Sequence, residues 1–477
     1  MFKNYDQAKD YIDTHDVKLV DFKILDLRGR WHHLSITAEK FNKKTIENGI
    51  GFDGSSYGFL TVEKSDMVFK PDLSTGFIDP FAENKTLVFL ANIFSLDEGK
   101  RLRFKGDPRF IAKKAENYMK ECDIATKSSF GPEFEFYLFD KMTYKTDPNN
   151  FGVFMDNSNA RWNSMNKEEN NNGFIINHHG GYHADLPLDK DRDIRDEMVL
   201  ALEDNDIPVK YHHSEVGGPG QMEVEVSFAD TLTIGDRSMK LKYILKNIAT
   251  KHNKTLTFMP KPFNEEAGNG MHIHFHLFKE GKPVFYDSDG YSGLSKEGLF
   301  AIGGILKHAK ALLAITNPST NSYKRLVPGY EAPVSICFAT ANRSAVIRIP
   351  GYATDPEKKR FEFRSSDATA NPYLAYSAIL MAAIDGIENE IDPTKEGFGP
   401  IDTNIFDLPK EEKEKIESLP KSLEEASIEL KNDHEFLLKG DVFTKGLIND
   451  LIEQNLKDHK EISIIPTSKE FEKYYDL

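Results

Sequence analysis

Residues 131–138 read Gly131-Pro132-Glu133-Phe134-Glu135-Phe136-Tyr137-Leu138, and from Glu133 to Phe136 acidic and apolar side chains alternate. This period of two is typical of a half-buried strand, so Glu133 and Glu135 should share one face. Side chains two positions apart on a strand lie about 6.5 Å from each other, which is too close for unpaired carboxylates on a dry face. The stretch therefore predicts a strand whose carboxylates share a bound cation.

Three other stretches repeat this alternation with residue types that bind metal or phosphate. They are Met222-Glu223-Val224-Glu225-Val226, Met271-His272-Ile273-His274-Phe275-His276-Leu277 and Arg360-Phe361-Glu362-Phe363-Arg364. A glycine-rich turn between Glu215 and Glu223 predicts a hairpin that brings these two carboxylates side by side. Carboxylates with one or two imidazoles suit Mg²⁺ or Mn²⁺ better than a structural zinc ion.

Any one of these glutamates, considered alone, would more often face solvent or pair with a lysine. Four such strands in one chain favour a metal centre instead. Among the histidines we expect His272 to be a ligand, because the glycines before it let backbone approach a bound group. The role of His276 stays open at this point.

Arginines are concentrated in one region of the chain, where Arg325, Arg343, Arg348, Arg360 and Arg364 fall within 40 residues. Guanidinium groups hold carboxylates and phosphates through paired hydrogen bonds and stabilise charge on a transferred phosphoryl group. The sequence contains no Walker A motif and no kinase or dinucleotide fingerprint in a suitable setting. If the chain uses ATP, metal ions and arginines must hold its phosphates.

The composition excludes several classes of protein. The 477 residues carry a formal net charge of -15, which argues against a general nucleic-acid binder. Only two cysteines are present, so we expect neither a disulfide framework nor a thiolate metal cluster. The N-terminus lacks an apolar leader and no apolar run is long enough to span a bilayer, so we predict a cytoplasmic protein that binds no membrane.

Local patterns divide the chain into two predicted domains. A helix over 5–14, a hairpin over 19–36 and a strand over 86–94 precede a charged link, which places the boundary near residue 103 and the domains at 1–103 and 104–477. Strands then alternate with helices, an α+β pattern with one large sheet, and the helices are predicted over 191–205, 231–253, 295–314 and 371–387. The polar segment 143–179 is predicted to be a surface insertion, and the tail from Pro409 to contain amphipathic helices.

Separated sequence blocks make the chain resemble the bacterial type I glutamine synthetase family from end to end. They include Phe52-Asp53-Gly54-Ser55-Ser56, Lys70-Pro71-Asp72, Gly131 to Phe136, His213 with Glu215 to Glu223, Met259-Pro260-Lys261-Pro262, Gly270-Met271-His272, Asn321 to Pro333, Asn342-Arg343-Ser344, Arg360 to Arg364 and Ala370-Asn371-Pro372-Tyr373. The resemblance implies an α+β fold, with an N-terminal β-grasp domain and a catalytic domain whose curved antiparallel sheet is flanked by helices. It also implies a dodecamer of two hexameric rings with active sites shared between neighbours.

The resemblance further implies ATP-dependent ligation of ammonia to L-glutamate through γ-glutamyl phosphate, with two Mg²⁺ or Mn²⁺ ions in each site. The implied ligands are Glu135, Glu215 and Glu223 for the first ion, and Glu133, His272 and Glu362 for the second. The implied ATP contacts are His213, Phe228, Arg343, Arg348 and Arg360, and the implied glutamate contacts are Gly268, Arg325, Glu331 and Arg364. Asp53 from a neighbouring subunit would bind ammonium and take its proton, Glu331 would close over the intermediate, and Arg343 would serve phosphoryl transfer.

The chain departs from the family pattern at four places. Phe406 replaces a tyrosine that accepts a nucleotide in the long-insertion subtype, so we predict that adenylylation is absent there. Thr61 replaces an arginine linked to feedback inhibition, the turn 264–268 is altered, and His276 replaces a serine that contacts the nucleotide. Two other functions stay open at this stage: a γ-glutamylpolyamine synthetase, and a catalytically inactive structural relative.

Overall fold

The computed structural model describes residues 2–59, 65–97, 99–165, 172–327, 332–340, 342–403, 405 and 408–477. Thr61, Glu331 and Phe406 lie outside these ranges. The helices are α1 Tyr5–Thr14, α2 Lys43–Asn48, α3 Pro108–Glu121, α4 Arg192–Glu203, α5 Thr231–Lys251, α6 Lys296–Lys307, α7 Ala309–Thr316, α8 Ser322–Arg325, α9 Pro372–Glu388, α10 Lys410–Lys413, α11 Leu423–Asn432, α12 Glu435–Leu438, α13 Lys445–Ser463 and α14 Ser468–Tyr474.

The strands form three sheets. They are β1 Leu19–Leu25, β2 Trp31–Thr37, β3 Ile50–Asp53, β4 Asp66–Ile78, β5 Thr86–Asp97, β6 Lys100–Arg103, β7 Lys127–Phe139, β8 Lys141–Asp147, β9 Asn150–Asp156, β10 Val209–Ser214, β11 Gln221–Val226, β12 Thr255–Thr257, β13 Met271–Lys279, β14 Lys282–Pro283, β15 Ser335–Thr340, β16 Ala345–Ile349 and β17 Phe361–Phe363. The first six make one sheet in the order β2-β1-β5-β4-β3, with β6 on β5. Buried phenylalanines fill its core, among them Phe22, Phe41, Phe69 and Phe89.

The large sheet has nine strands, seven of them in the order β10-β11-β7-β13-β17-β16-β15. Every pairing along it is antiparallel except that of β15 with β16. Helix α9 is buried along nearly its whole length, because its sequence Pro372–Gly386 is apolar on all sides. The apolar side chains of β7 and β13 pack with those of α3, α5, α6 and α9 in one continuous core, so the alternating polar side chains lie on the opposite face. The α+β prediction is confirmed.

One local prediction needs correction. The helix expected over 295–314 is two helices, α6 and α7, which meet at His308 with a bend of 74°. The buried His308 ring is held between Asp385, 3.0 Å from Nε2, and Asp433, 2.7 Å from Nδ1. The predicted surface insertion is indeed exposed where β8 and β9 run, but these strands form a regular antiparallel hairpin.

A helix that crosses a membrane must be long enough and apolar enough to span the bilayer. None of the described helices is by itself long and apolar enough to do so. The bent pair α6–α7 meets this requirement by length and composition alone.

An arginine on α3 connects the first sheet to the core of the large sheet. Asp107 caps the helix by accepting the Arg109 backbone N–H, and Pro108 occupies the first turn. The buried Arg109 guanidinium then donates to both carboxylate oxygens of Asp236 on α5, each at 2.8 Å. It also reaches Asp72 on β4 and Asn92 on β5. One side chain therefore ties three elements together.

Candidate active site

The strand register places the acidic side chains of β7 and β11 in one row. Glu135 pairs with Glu223, and Glu133 pairs with Glu225. On the other side of β7, Glu133 pairs with His272 of β13. Because directly paired residues point to the same face, one face of the sheet carries several carboxylates and imidazoles within reach of one another.

One cluster within this row consists of Glu133, His272 and Glu362. His272 Nδ1 lies 3.0 Å from Glu133 Oε2 and 3.7 Å from Glu362 Oε1. All three side chains are buried, and one ligand atom from each falls within 4.8 Å of the others. Burial by itself would raise the pKa of Glu133, but the neighbouring His274 and His272 outweigh this effect and hold that pKa well below its ordinary value. Glu133 is therefore ionised at neutral pH.

A second cluster consists of His213, Glu215 and Glu223, at the mouth of the β10–β11 hairpin. His213 lies between the two acids, with Nδ1 3.7 Å from Glu215 and Nε2 3.3 Å from Glu223. Burial, followed by the nearby Glu135 and Glu223, raises the pKa of Glu215 from 4.5 to about 9. Burial, followed by Glu133 and Glu135, raises the pKa of Glu223 well above its ordinary value. These carboxylates crowd one another.

Arginines surround the carboxylate row on its other side. Arg348 Nη1 donates to Glu362 Oε2 at 2.7 Å, and Arg364 Nη1 donates to Glu362 Oε1. Burial disfavours the ionised form of Glu362, but the nearby Arg364 guanidinium stabilises that form more strongly and lowers the pKa of Glu362 to about 2. Arg325 donates to the backbone oxygens of Ser365 and Arg364 and lies 3.5 Å from His272 Nε2.

Glycine permits the close approach of Arg325 to β13. A Cβ atom at Gly270 would lie 2.5 Å from Arg325 Nη2, and one at Gly268 would lie 2.8 Å from Arg325 Cγ. Both distances are shorter than real carbon contacts allow. The glycines that precede His272 in the sequence therefore make room for the Arg325 side chain, whereas the sequence pattern predicted that they let backbone approach a bound group.

A cavity of about 900 Å³ opens onto these groups. Its lining contains most of the predicted site residues: Glu133, Glu135, Glu215, Glu223, His272, Glu362, His213, Gly268, Arg325, Arg343, Arg348 and Arg364. The described lining includes neither Phe228 nor Arg360, although the Arg360 guanidinium carbon lies 5.7 Å from the centre of the Phe228 ring. Asp53 is also outside this lining, at the end of β3, where it caps the turn that follows.

The altered turn 264–268 is held firmly in place. Its Glu266 is buried and accepts a hydrogen bond from Arg161 Nη1 at 3.1 Å, and Lys261 donates to the Glu266 backbone oxygen. Gln221, which is also buried, donates to the Gly268 oxygen at 3.0 Å and accepts from Gly217 N. Gln221 thus joins the hairpin loop to the turn, a role that the sequence analysis missed because glutamine carries no charge or ligand signal.

The sequence analysis also passed over Glu225 and His274. Both are fully buried and lie in the same row. His274 Nε2 is 2.8 Å from Glu133 Oε1, and Arg360 Nε donates to His274 Nδ1 at 3.3 Å. Period-two alternation places both residues on the same face as the predicted metal ligands, so the signal was present in the quoted stretches.

His276 lies next to Phe228, with ring centroids 4.9 Å apart. Burial and Arg360 lower the pKa of His276 to about 3, so this imidazole is neutral at neutral pH. Among the described residues its Nδ1 atom has no hydrogen-bond partner. The structure thus places a neutral polar ring beside the residue implied to stack near adenine.

The donor set fits divalent cations. Within the described residues, no hydrogen bond reaches the buried Oε2 atom of Glu215. Burial, followed by repulsion from Glu133 and Glu135, raises the pKa of Glu223. A cation among these oxygens would relieve both features, and oxygen-rich sites with one imidazole suit Mg²⁺ and Mn²⁺.

Metal removal should therefore produce a pH-dependent loss of stability. Without metal, Glu215 and Glu223 hold protons that the unfolded chain has lost above about pH 4.5. Stability from these groups is present below pH 4.5 and is lost as the pH rises towards about 9. Metal requires the deprotonated ligands, so Mn²⁺ should raise the unfolding temperature more at pH 8.5 than at pH 5.5.

Thermal unfolding in EDTA and in Mn²⁺, measured across this pH range, tests the prediction. The difference between the two curves removes the contribution of other titrating groups. Glu215→Gln should flatten the pH dependence of that difference. A Mn²⁺ stabilisation that stays constant or shrinks with rising pH would contradict the assignment.

Comparisons with known proteins agree with this geometry. The family model described as "Glutamine synthetase, catalytic domain" matches residues 105–474, and the one described as "Glutamine synthetase, beta-Grasp domain" matches residues 16–96. A glutamine synthetase from Aquifex aeolicus is 47% identical over 99% of both chains. A 3-hydroxylaminophenol mutase from Cupriavidus pinatubonensis is 42% identical over 98% of both chains. A cryo-EM structure of Plasmodium falciparum glutamine synthetase superposes with a TM-score of 0.87, at 29% identity over 99% of both chains. The chain belongs to the glutamine synthetase family.

Proposed function

We propose that this protein is an ATP-dependent ligase that joins ammonia to L-glutamate and forms glutamine through γ-glutamyl phosphate. The observation that carries the proposal is the convergence, in one cavity, of the acidic row and the arginines of β16 and the segment after β17. End-to-end similarity to glutamine synthetases supports the same reaction. The predicted metal and arginine residues are all retained, which disfavours an inactive relative, and retained Asp53 favours ammonium over the acceptor of a γ-glutamylpolyamine synthetase.

The two clusters have the composition needed for a pair of Mg²⁺ or Mn²⁺ ions. Glu135, Glu215 and Glu223 would hold the first ion, and Glu133, His272 and Glu362 the second. When bound, such ions neutralise the phosphoryl oxygens of ATP and so replace a phosphate-binding loop. His213, which lies between Glu215 and Glu223, would contact the same phosphates.

In the first step, an oxygen of the glutamate γ-carboxylate forms a bond to the γ-phosphorus of ATP, and the bond to the ADP oxygen breaks. Arg343, Arg348 and Arg360 would stabilise the negative charge on the phosphates, with Phe228 beside the adenine. Gly268, Arg325 and Arg364 would bind the glutamate carboxylates and main-chain atoms. Arg325 and Arg364 are already fixed by backbone and carboxylate contacts, so they need little reorganisation on binding.

In the second step, ammonia attacks the acyl carbon and phosphate leaves. Asp53 would accept the proton from ammonium, since only neutral ammonia is a nucleophile. Hydrogen bonds from the Ser55 and Ser56 hydroxyls lower the pKa of Asp53 to about 2, so the carboxylate is ionised and attracts a cation. Because Asp53 does not line the cavity of its own chain, we propose that a neighbouring subunit supplies it in a cytoplasmic dodecamer of two hexameric rings.

Three further proposals come from the sequence. We place the domains at 1–103 and 104–477, which is supported by the end of β6 at Arg103 and the start of α3 at Pro108. Glu331 would close over the intermediate and exclude water, which would otherwise hydrolyse it. Phe406 has no hydroxyl, so adenylylation should be absent at that position.

Phosphate release from ATP and glutamate tests the proposed reaction. We expect release with ammonium and Mg²⁺ or Mn²⁺, formation of one glutamine per phosphate, and no release in EDTA. Ethylamine and putrescine serve as alternative acceptors in parallel reactions. Turnover only with an amine would favour the polyamine synthetase, and no turnover with any acceptor would favour the inactive relative.

A further inference from the structure

Glu225 is a member of the carboxylate row that the proposed reaction does not use. It lies on β11 two residues beyond Glu223 and is 0% exposed. Its strand partner is Glu133, a proposed metal ligand. A fully buried carboxylate beside other carboxylates requires a cationic partner, because the cost of desolvating an uncompensated charge is several kcal/mol.

Lys210, on the neighbouring strand β10, supplies that cation. Its ammonium group lies 2.8 Å from Glu225 Oε1. The Lys210 side chain is 36% exposed, so its stem reaches inward from the surface while Glu225 stays dry. Among the described residues the second carboxylate oxygen, Oε2, has no hydrogen-bond partner. Lys210 is thus the charge partner that the structure shows for Glu225.

Glu225 also belongs to a third group with the composition of a metal site. One ligand atom each from Glu133, Glu225 and His274 lies within 4.8 Å of the others, and all three side chains are buried. His274 Nε2 is 2.8 Å from Glu133 Oε1 and 3.9 Å from Glu225 Oε1. This arrangement of two carboxylates and one imidazole matches that of the cluster proposed for the second ion.

Two cationic side chains oppose metal binding at this third group. Arg360 donates a hydrogen bond to His274 Nδ1, so that a neutral His274 carries its proton on Nε2, the atom facing the carboxylates. The Lys210 ammonium lies 2.8 Å from Glu225 Oε1, an oxygen of this group, and already neutralises it. A compact ammonium acts as a point charge, so a divalent ion bound at the same oxygen would be repelled by it.

We propose that Lys210 is an internal cation that takes the place of a divalent ion at the Glu133–Glu225–His274 group. The row therefore binds metal only at the two clusters that face the substrate cavity. This inference rests on the proposed function, since it concerns how many ions the catalytic row accepts. It makes Lys210 a positioning residue, which keeps Glu133 available to the cluster of Glu133, His272 and Glu362.

Counting bound Mn²⁺ tests this role directly. Equilibrium dialysis of the full-length protein against Mn²⁺, without nucleotide, gives the number of ions per chain, and electron paramagnetic resonance of free Mn²⁺ gives an independent count. Lys210→Met removes the ammonium and keeps the stem, and we expect it to bind one more Mn²⁺ per chain than the wild type. Lys210→Arg retains the charge and should bind the same number as the wild type.

The double variant Lys210→Met with Glu225→Gln is the matched control. It removes both charges, so the added Mn²⁺ should be lost again. If Lys210→Met fails to fold, Lys210→Gln serves the same purpose, because a polar side chain is tolerated at this half-exposed position. Circular dichroism confirms the fold of each variant before metal is counted.

The outcomes separate this inference from the proposed function. Wild-type protein that binds Mn²⁺, with no gain in either neutral Lys210 variant, would overturn the role of Lys210 and leave the proposed reaction intact. Wild-type protein that binds no Mn²⁺ would overturn both. A gain that persists in the double variant would place the added ion elsewhere and would also overturn the inference.

Discussion

Glu133→Ala should lower kcat/KM for glutamine formation by at least about a thousandfold. Glu133 is the proposed ligand at the centre of the row, and both His272 and His274 lie within hydrogen-bond distance of its carboxylate. Removing it deletes a metal ligand and leaves two buried imidazoles without their acceptor, which also disturbs their orientation. Its effect should therefore exceed that of losing a single transition-state contact.

Steady-state assays combined with Mn²⁺ binding distinguish this prediction from simple unfolding. We expect Glu133→Ala to retain native circular dichroism in EDTA while losing measurable Mn²⁺ affinity at the cluster of Glu133, His272 and Glu362. Glu133→Gln keeps the shape of the side chain and tests the charge alone. Glu121→Ala, at the exposed end of α3, is the control and should leave activity unchanged. Activity above a tenth of wild type in Glu133→Ala would refute the assignment.

Arg109→Met should destabilise the protein by about 3–5 kcal/mol. The guanidinium is 5% exposed and donates to Asp236, Asp72 and Asn92. The substitution leaves Asp236 without its cation, while the buried Tyr373 hydroxyl still donates to that carboxylate. It also disconnects the first sheet from α5, so unfolding should begin at lower denaturant concentration.

Unfolding in guanidinium chloride measures the decrease in the free energy of unfolding. The protein concentration is held fixed, because oligomer formation would otherwise shift the apparent stability. Arg101→Met, on the exposed strand β6, should change the free energy of unfolding by less than about 0.5 kcal/mol. The double variant Arg109→Met with Asp236→Leu should recover part of the loss, since no uncompensated charge is then buried. A change below about 1 kcal/mol in Arg109→Met would show that this network is dispensable.

The success of the local predictions has a simple physical origin. A strand with one buried face must alternate in sequence, so alternation alone assigns the side chains of Glu133 and Glu135 to one face of β7, and those of the histidines to one face of β13. The start of helix α3 at Asp107-Pro108 is equally predictable, because capping involves neighbouring residues only. The proposed metal and phosphate chemistry of the site was predicted from its residue types, which seldom occur together except around metal ions and phosphates.

Predictions that depended on distant contacts were less complete. The break between α6 and α7 involves His308, whose ring is held by Asp385 and Asp433 from two later segments. The 295–314 pattern alone is continuous and gives no sign of it. The turn at Glu266 is likewise held by a distant residue, Arg161, more than 100 positions away along the chain.

Local sequence is sufficient to establish which residue types face a common side of each strand, where most helices begin and end, and the kind of ligands that the site offers. Which strands are neighbours, and in what register, is established only by the packed fold. That register pairs Glu133 with both Glu225 and His272, and brings Lys210 to Glu225. Alternation and capping are local properties of the chain, whereas strand order and charge pairing depend on the free energy of the whole core, to which residues far apart in sequence contribute together.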